Sequence, residues 1–383
     1  MGSNFLAAAN DLGLGFLGYL IPFLFVLTIV VFFHELGHYL IAKLNGIKVV
    51  AFSIGFGPEI VGFNDRSGTR WKLAAIPLGG YVKFYGDENE ASVPSQESLS
   101  RMPEAERKLT FPGQSVAARA AVVVAGPLAN FVLAIVIFSA IFMFHGKQIT
   151  TPRVDGVMPG SAAQAAGLQP GDLVLSIDGT PIDSFADMQR IVGTSAGETL
   201  RLEIERKGQV VTTDIVPALK EIKDAFGNVH RAGVVGITRS VTPEDTRVEP
   251  VAPLAAVRMG AEQTWFIIEQ TLGYIGKIVV GRESADQLGG PIRIAQVSGQ
   301  VATAGMVALL HLAAVLSVSI GLLNLFPVPL LDGGHLMFYA IEAVRGRPLS
   351  ERAQEVGFRI GFALVVMLMI FATFNDILHL ATS

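Results

Sequence analysis

Apolar residues fill four stretches of the chain almost without interruption, and the polar residues crowd into the segments between them. The stretches run over about residues 17–44, 118–144, 304–331 and 356–372. A helix of about 20 apolar residues crosses a bilayer, so the pattern predicts four transmembrane helices. Arg359 trims the apolar core of the fourth, and its long stem lets the charge reach the interface. Between the first two stretches, "VVAFSIGFGPEIVGF" and "TRWKLAAIPLGGYVKFYG" alternate in short runs broken by Gly and Pro. They predict β-hairpins beside the membrane. Residues 88–108 are polar and predict a mobile loop with a short helix. After the second stretch, residues 151–217 mix short strands, turn signals and two small helices. Residues 252–280 then interleave Trp265, Phe266, Ile267, Tyr274 and Ile278 with Glu262, Glu269 and Lys277. That predicts a helix lying in the interface rather than a fifth span, broken by "LGGPIRI".

Composition narrows the class. Hydrophobic residues make up 51% of the 383 and charged residues 16%, which places the chain among membrane proteins that carry a part outside the bilayer. A net charge of −4 offers no basic field for nucleic acid. The absence of cysteine removes disulfides, thiolate ligands and a cysteine nucleophile. The N-terminal apolar run has no basic leader and is longer than a signal-peptide core, so it predicts a retained span. Nine Lys/Arg lie between residues 43 and 114, and Arg345, Arg347 and Arg352 follow the third span, whereas residues 1–16 and those after 374 carry none. The positive-inside rule then sets both loops in the cytoplasm and both ends outside. The expected organisation is a first helix within 1–44, a β-hairpin region and loop at 45–117, and a second helix at 118–145. An inserted α+β domain follows at 146–222, then a connecting region with the interfacial helix at 223–303. The third helix falls at 304–335, a cytoplasmic loop at 336–355, and the fourth helix and tail at 356–383.

The chemistry sits inside the first span. His34-Glu35-Leu36-Gly37-His38 follows an uncharged run from Leu12 to Phe33. Positions i and i+4 share a helix face, so both imidazoles reach one ion. A charged side chain at mid-membrane costs roughly 2.5–3.5 kcal/mol on insertion scales, and three titratable residues within five point to a metal site rather than to a solvated face. Zinc suits these ligands and keeps one position open in a hydrolytic site, with Glu35 beside it as general base. The expected load is one Zn²⁺ per chain. The third ligand is expected in "NLFPVPLLDGGH", where Asn324, Pro327 and Pro329 interrupt the third span before Asp332. Irregular backbone at that depth is tolerated where it is buried in protein or lines a water-filled cavity. His335 is a competing ligand that the spacing turns toward the cytoplasm, and His311 reads as a lone packed histidine. His34 lies nine residues before Lys43, roughly 13 Å from the cytoplasmic boundary at 1.5 Å per residue, a depth that Asp332 shares.

"HELGH" joined to "NLFPVPLLDGG" in four-span order resembles the site-2 protease family of intramembrane zinc proteases, in its bacterial regulator-of-sigma-E branch. "GFGP" (55–58), "IPLGGYVKF" (76–84), "AGPLAN" (125–130) and "GGPIRI" (289–294) match as well. The resemblance implies that His34, His38 and Asp332 bind zinc and that Glu35 is the general base. It also implies that Asn324 and Pro327 line the substrate cleft and that Gly79, Gly80 and Tyr81 lie in a β-element beside it. The implied substrates are single-span membrane proteins in the bilayer, such as anti-sigma factors trimmed by an upstream site-1 protease, and remnant signal peptides. The implied place is the bacterial inner membrane, with a periplasmic PDZ-like domain and an active site near the cytoplasmic side. "PGSAAQAAGLQPGDLVLSIDGTPI" occurs once, where some members carry two PDZ domains. The domain is expected either to filter substrates by size or to bind a new C-terminus. A metal transporter would need further polar residues along several spans, and the second and fourth offer only Asn130 and Arg359; an anchored PDZ scaffold would leave Glu35 and Asp332 without a role.

Overall fold

A computed structural model describes residues 15–86, 102–223, 229–239, 246–280 and 289–382, in two units: residues 1–141 with 254–383, and residues 142–253. The first unit begins with α1 (Gly15–Leu44), β1 (Val49–Asn64), β2 (Arg70–Phe84), the single turn α2 (Glu104–Arg107) and α3 (Val116–His145). Most of the expected loop at 88–108 lies outside the described residues.

The two expected hairpin stretches form one curled sheet, because each strand bends and is used twice. Residues 51–54 pair with 80–83 on one side and with 70–73 on the other, while 61–64 pair along the far side of 70–73. Gly55 and Gly57, at φ 88° and 84°, supply the left-handed turns that bend β1. Phe52 stacks on Trp71 with centroids 4.2 Å apart, and Tyr39 of α1 meets both rings edge-on. The Asp65 carboxylate ties this packing together. It accepts from the Tyr39 hydroxyl (3.0 Å), the Trp71 indole (3.1 Å), the Ser67 hydroxyl and two backbone N–H groups. Burial pushes that carboxyl up, but the five donors hold it well below the usual carboxylate range. The sheet is therefore fixed to α1 one residue beyond His38. Its far end leaves Ile60, Val61, Ile76 and Leu78 half or more exposed.

The second unit holds β3 (Lys147–Thr150), β4 (Gly156–Val157), α4 (Ala162–Ala165), β5 (Leu173–Ile177), β6 (Thr180–Pro181), α5 (Phe185–Thr194), β7 (Leu200–Arg206), β8 (Gln209–Ile215), β9 (Ala218–Lys223), β10 (Val229–Val234), β11 (Ile237–Thr238) and β12 (Thr246–Glu249). A sheet in the order β6-β5-β7-β8 packs Val174, Ile177, Leu202, Ile204 and Ile215 against Met188 of α5. Ser161 and Ser184 cap the two helices by accepting from the N–H groups of Gln164 and Asp187. Asp172 is buried, which raises its carboxyl, but the paired Arg206 guanidinium at 2.7 Å and the Gln169 N–H bring it below its ordinary range. The expected boundary at residue 222 is too early. β10 pairs with β9, β11 with β4 and β12 with β3, so the unit closes on itself near residue 253. These pairings join residues up to about a hundred positions apart, which local patterns do not reveal.

The chain then returns to the first unit through α6 (Pro253–Val279), α7 (Pro291–Thr303), α8 (Met306–Asn324), α9 (Asp332–Arg345) and α10 (Glu351–Thr382). Among the described residues, four helices are long and apolar enough to cross a membrane: α1, α3, α8 and the Arg352–Leu378 part of α10. The third span is thus shorter than expected, and the expected loop at 336–355 is largely helical. Pro327 and Pro329 lack the N–H groups that would continue α8, so the backbone turns through residues 325–331 and a new helix starts at Asp332. Leu330 takes φ 108° in that turn, a strained value for a leucine. Arg119 of α3 holds α9 in place, bonding Glu342 at 2.7 Å and lying 4.8 Å over the Tyr339 ring. The α7 helix, which the sequence pattern did not reveal, packs its Gly299 against Tyr19 of α1.

Candidate metal centre

Three side chains from two distant segments converge. His34 Nε2 lies 3.2 Å from an Asp332 carboxylate oxygen and 3.3 Å from His38 Nε2, and His38 Nε2 lies 3.6 Å from the other Asp332 oxygen. Ligands about 2.0–2.1 Å from one zinc ion in tetrahedral array sit about 3.3 Å apart, so the trio has the spacing that zinc requires. The donor set also fits. Asp332 Oδ2 is buried and has no hydrogen-bond partner among the described residues, as expected of an atom kept for a cation. His38 Nδ1 lies 2.8 Å from the carbonyl oxygen of Val122. A carbonyl only accepts, so Nδ1 carries the proton and Nε2 is left with a lone pair for the metal.

The backbone makes room for this cluster. At Gly126 of α3 a Cβ would fall 2.4 Å from His38 Nε2 and 2.9 Å from His34 Cε1, so any side chain there would displace the imidazoles. Gly37, inside the histidine motif, lets α1 cross α3 closely, since a Cβ would meet the Ala125 carbonyl oxygen at 2.3 Å. On the other side a Cβ at Gly80 would lie 2.9 Å from Glu35 Cγ, which places the margin of the curled sheet directly against Glu35.

The expected site residues separate into groups. His34, His38 and Asp332 form the cluster, Glu35 adjoins Gly80, and the Asn324 amide lies 3.4 Å from His34 Nε2. Gly79 approaches Phe56, and the buried Tyr81 stacks on Phe56 beneath the Lys72 ammonium, so both pack within the sheet. Pro327 is exposed in the turn before Asp332. His335 packs between the rings of Tyr339 and Phe358, while Asp332 takes the third position. His311 meets the edge of the Phe138 ring, as a packed histidine would.

Two further residues have partners that no local signal reveals. Asn130 is fully buried with its amide 3.3 Å from His34 Nδ1; "AGPLAN" marks the segment without revealing the contact. Asp376 of α10 is buried and accepts from the N–H groups of Gly290, Ile292 and Arg293, which caps α7.

Two imidazoles and a carboxylate spaced for zinc, with a glutamate adjacent and long apolar helices around them, are the equipment of a metal-dependent peptide hydrolase housed in a membrane protein. Peptidase family M50, the site-2 protease family, is that class, and this chain belongs to it: the family model matches residues 22–368. A protein of Agrobacterium fabrum named "Putative zinc metalloprotease" is 53% identical over 95% of this chain and 97% of its own length. One of the same description from Rhizobium meliloti is also 53% identical, over 94% and 97%. Metalloprotease MmpA of Caulobacter vibrioides is 40% identical over 95% and 96%.

Proposed function

We propose that this zinc metalloprotease is an intramembrane endopeptidase that cuts the transmembrane segments of single-span membrane proteins. The observation that carries the reading is the placement of His34, Glu35 and His38 within α1, a helix long and apolar enough to span the bilayer. His34, His38 and Asp332 would hold the zinc, which when bound supplies a Lewis acid for the scissile carbonyl and acidifies water. Glu35 takes a proton from the attacking water as the C–O bond forms, and delivers it to the amide nitrogen as the C–N bond breaks. A substrate helix must unwind first, and its freed backbone groups need partners in a low-dielectric site. The margin of the curled sheet at residues 80–83 offers them by strand addition, and the Asn324 amide offers a further donor.

The substrates we propose are anti-sigma factors already trimmed by an upstream site-1 protease, and remnant signal peptides, in the bacterial inner membrane. The second unit, with its small sheet and two capped helices, is proposed to be a periplasmic PDZ domain that screens them, with the active site toward the cytoplasmic face. The test uses matched substrates in proteoliposomes. A poly-Leu segment carrying a mid-helix Asn-Pro pair is expected to be cut at least about tenfold faster than unbroken poly-Leu, the cost of unwinding being several kcal/mol per unsatisfied group. Replacing Asn324 by Ala is expected to slow both without releasing zinc. Equal rates for the two substrates would count against cleavage of an unwound helix.

A further inference from the structure

The α3 helix addresses the histidines from three successive turns: the Val122 carbonyl, Gly126 and Asn130 lie at i, i+4 and i+8 on one face. The first fixes the tautomer of His38 and the second makes room. The third presents a chemical contradiction as it stands. Asn130 Nδ2 faces His34 Nδ1 at 3.3 Å, and Asn324 Nδ2 faces His34 Nε2 at 3.4 Å. A neutral imidazole has one acceptor nitrogen and one N–H, so it cannot accept from both amides. At the same time Asn130 Oδ1 is buried with no hydrogen-bond partner among the described residues, and an unmet buried acceptor is costly.

One rotation resolves both. The two ends of a carboxamide are alike in shape, and the network decides which is which. His34 shares the metal cluster through Nε2, the atom that lies 3.2 Å from Asp332 and 3.3 Å from His38 Nε2. Binding through Nε2 leaves the proton on Nδ1. A ring N–H pointing at Asn130 needs an acceptor, and the unused Oδ1 is that acceptor once the amide turns over. We propose that Asn130 is a positioning residue that accepts the Nδ1–H of His34 through Oδ1 and so holds the imidazole in the tautomer and orientation that offer Nε2 to zinc. The inference rests on the reading of this cluster as a zinc site. It makes α3 the helix that sets both histidines: a backbone carbonyl for one, a side-chain carbonyl for the other. The Asn130 backbone carbonyl separately accepts from Ser317 of α8 at 2.9 Å, so the side chain can be changed without removing that link.

The test measures zinc retention by the purified full-length chain against a competing chelator, alongside the visible spectrum of the cobalt-substituted protein. Wild type, Asn130→Ala and Asn130→Asp are compared. Aspartate keeps an acceptor and loses the amide donor, and alanine loses both. Loss of an outer partner of a ligating histidine typically weakens metal affinity 10–100-fold. Asn130→Ala is expected to show a loss of that size and an altered cobalt spectrum, and Asn130→Asp to stay within about threefold of wild type. Thermal unfolding in excess chelator separates positioning from packing: the metal-free Ala variant is expected to unfold with the wild type. Equal zinc retention by wild type and Asn130→Ala would overturn the proposal. So would an Asp variant as weak as Ala, or an Ala variant whose metal-free form is destabilised in step with its zinc loss. If wild type itself retains no zinc, the reading of the cluster fails instead, and that result is distinct from all of these.

Discussion

Replacing Glu35 by Gln is expected to leave the zinc content at one per chain and to slow cleavage by about 10²–10⁴-fold, the usual contribution of a general base, or about 3–5 kcal/mol of barrier. Glutamine has nearly the same shape, so it should sit against Gly80 as the glutamate does. Glu35 is not one of the three side chains spaced for the ion, so the metal should stay. The two readouts therefore separate. Zinc analysis and a single-turnover cleavage assay on the same preparation check the outcome. A variant that loses zinc along with activity would make Glu35 a ligand, and one that keeps full activity would assign the proton transfer elsewhere.

Asp332→Ala is expected to fail at the earlier step. With two imidazoles remaining, the ion loses its anionic ligand, and affinity should fall by more than the about 10–100-fold typical of outer partners. The paired control is His335→Ala. That imidazole packs against Tyr339 and Phe358, so its removal should cost packing and leave zinc in place. Competition against a graded series of chelators measures both. Retention of zinc by Asp332→Ala together with its loss in His335→Ala would reverse the assignment of the third ligand.

The sequence discloses the centre of this molecule more readily than its surroundings, for a physical reason. His34, Glu35 and His38 are legible because one helical turn fixes their relation, and an apolar setting makes their polarity costly. Asp332 is legible because two prolines announce a broken helix where a break needs a purpose. What escapes depends on partners distant in the chain. The α9 helix reads as part of a loop because it falls between two apolar stretches and ends at Arg345, yet its Glu342 is paired with Arg119, 223 residues earlier. Asp376 reads as part of a tail, but it caps a helix whose N-cap residue, Gly290, lies 86 residues before it. The curled sheet reads as separate hairpins, because alternation reveals strands and not which strand is used twice. Asn130 is visible as a polar residue in an apolar run, and its role depends on a histidine 96 positions away. In the second unit, β10 to β12 belong to a domain whose local signals fade after β8, since short edge pairings leave little pattern.

On the proposed function, His34, His38 and Asp332 would hold a zinc ion, and the chain would cut peptide bonds within a membrane-spanning segment. The most direct measurement reconstitutes the purified chain in liposomes with single-span substrates carrying a mid-helix Asn-Pro pair, and maps the cut bond by mass spectrometry before chelation, after chelation and after zinc is restored. The expected result is a cut inside the apolar segment that disappears with the zinc, returns with it, and is absent for Glu35→Gln. A cut that persists after complete zinc removal, or that falls outside the apolar segment while zinc is fully bound, would contradict it.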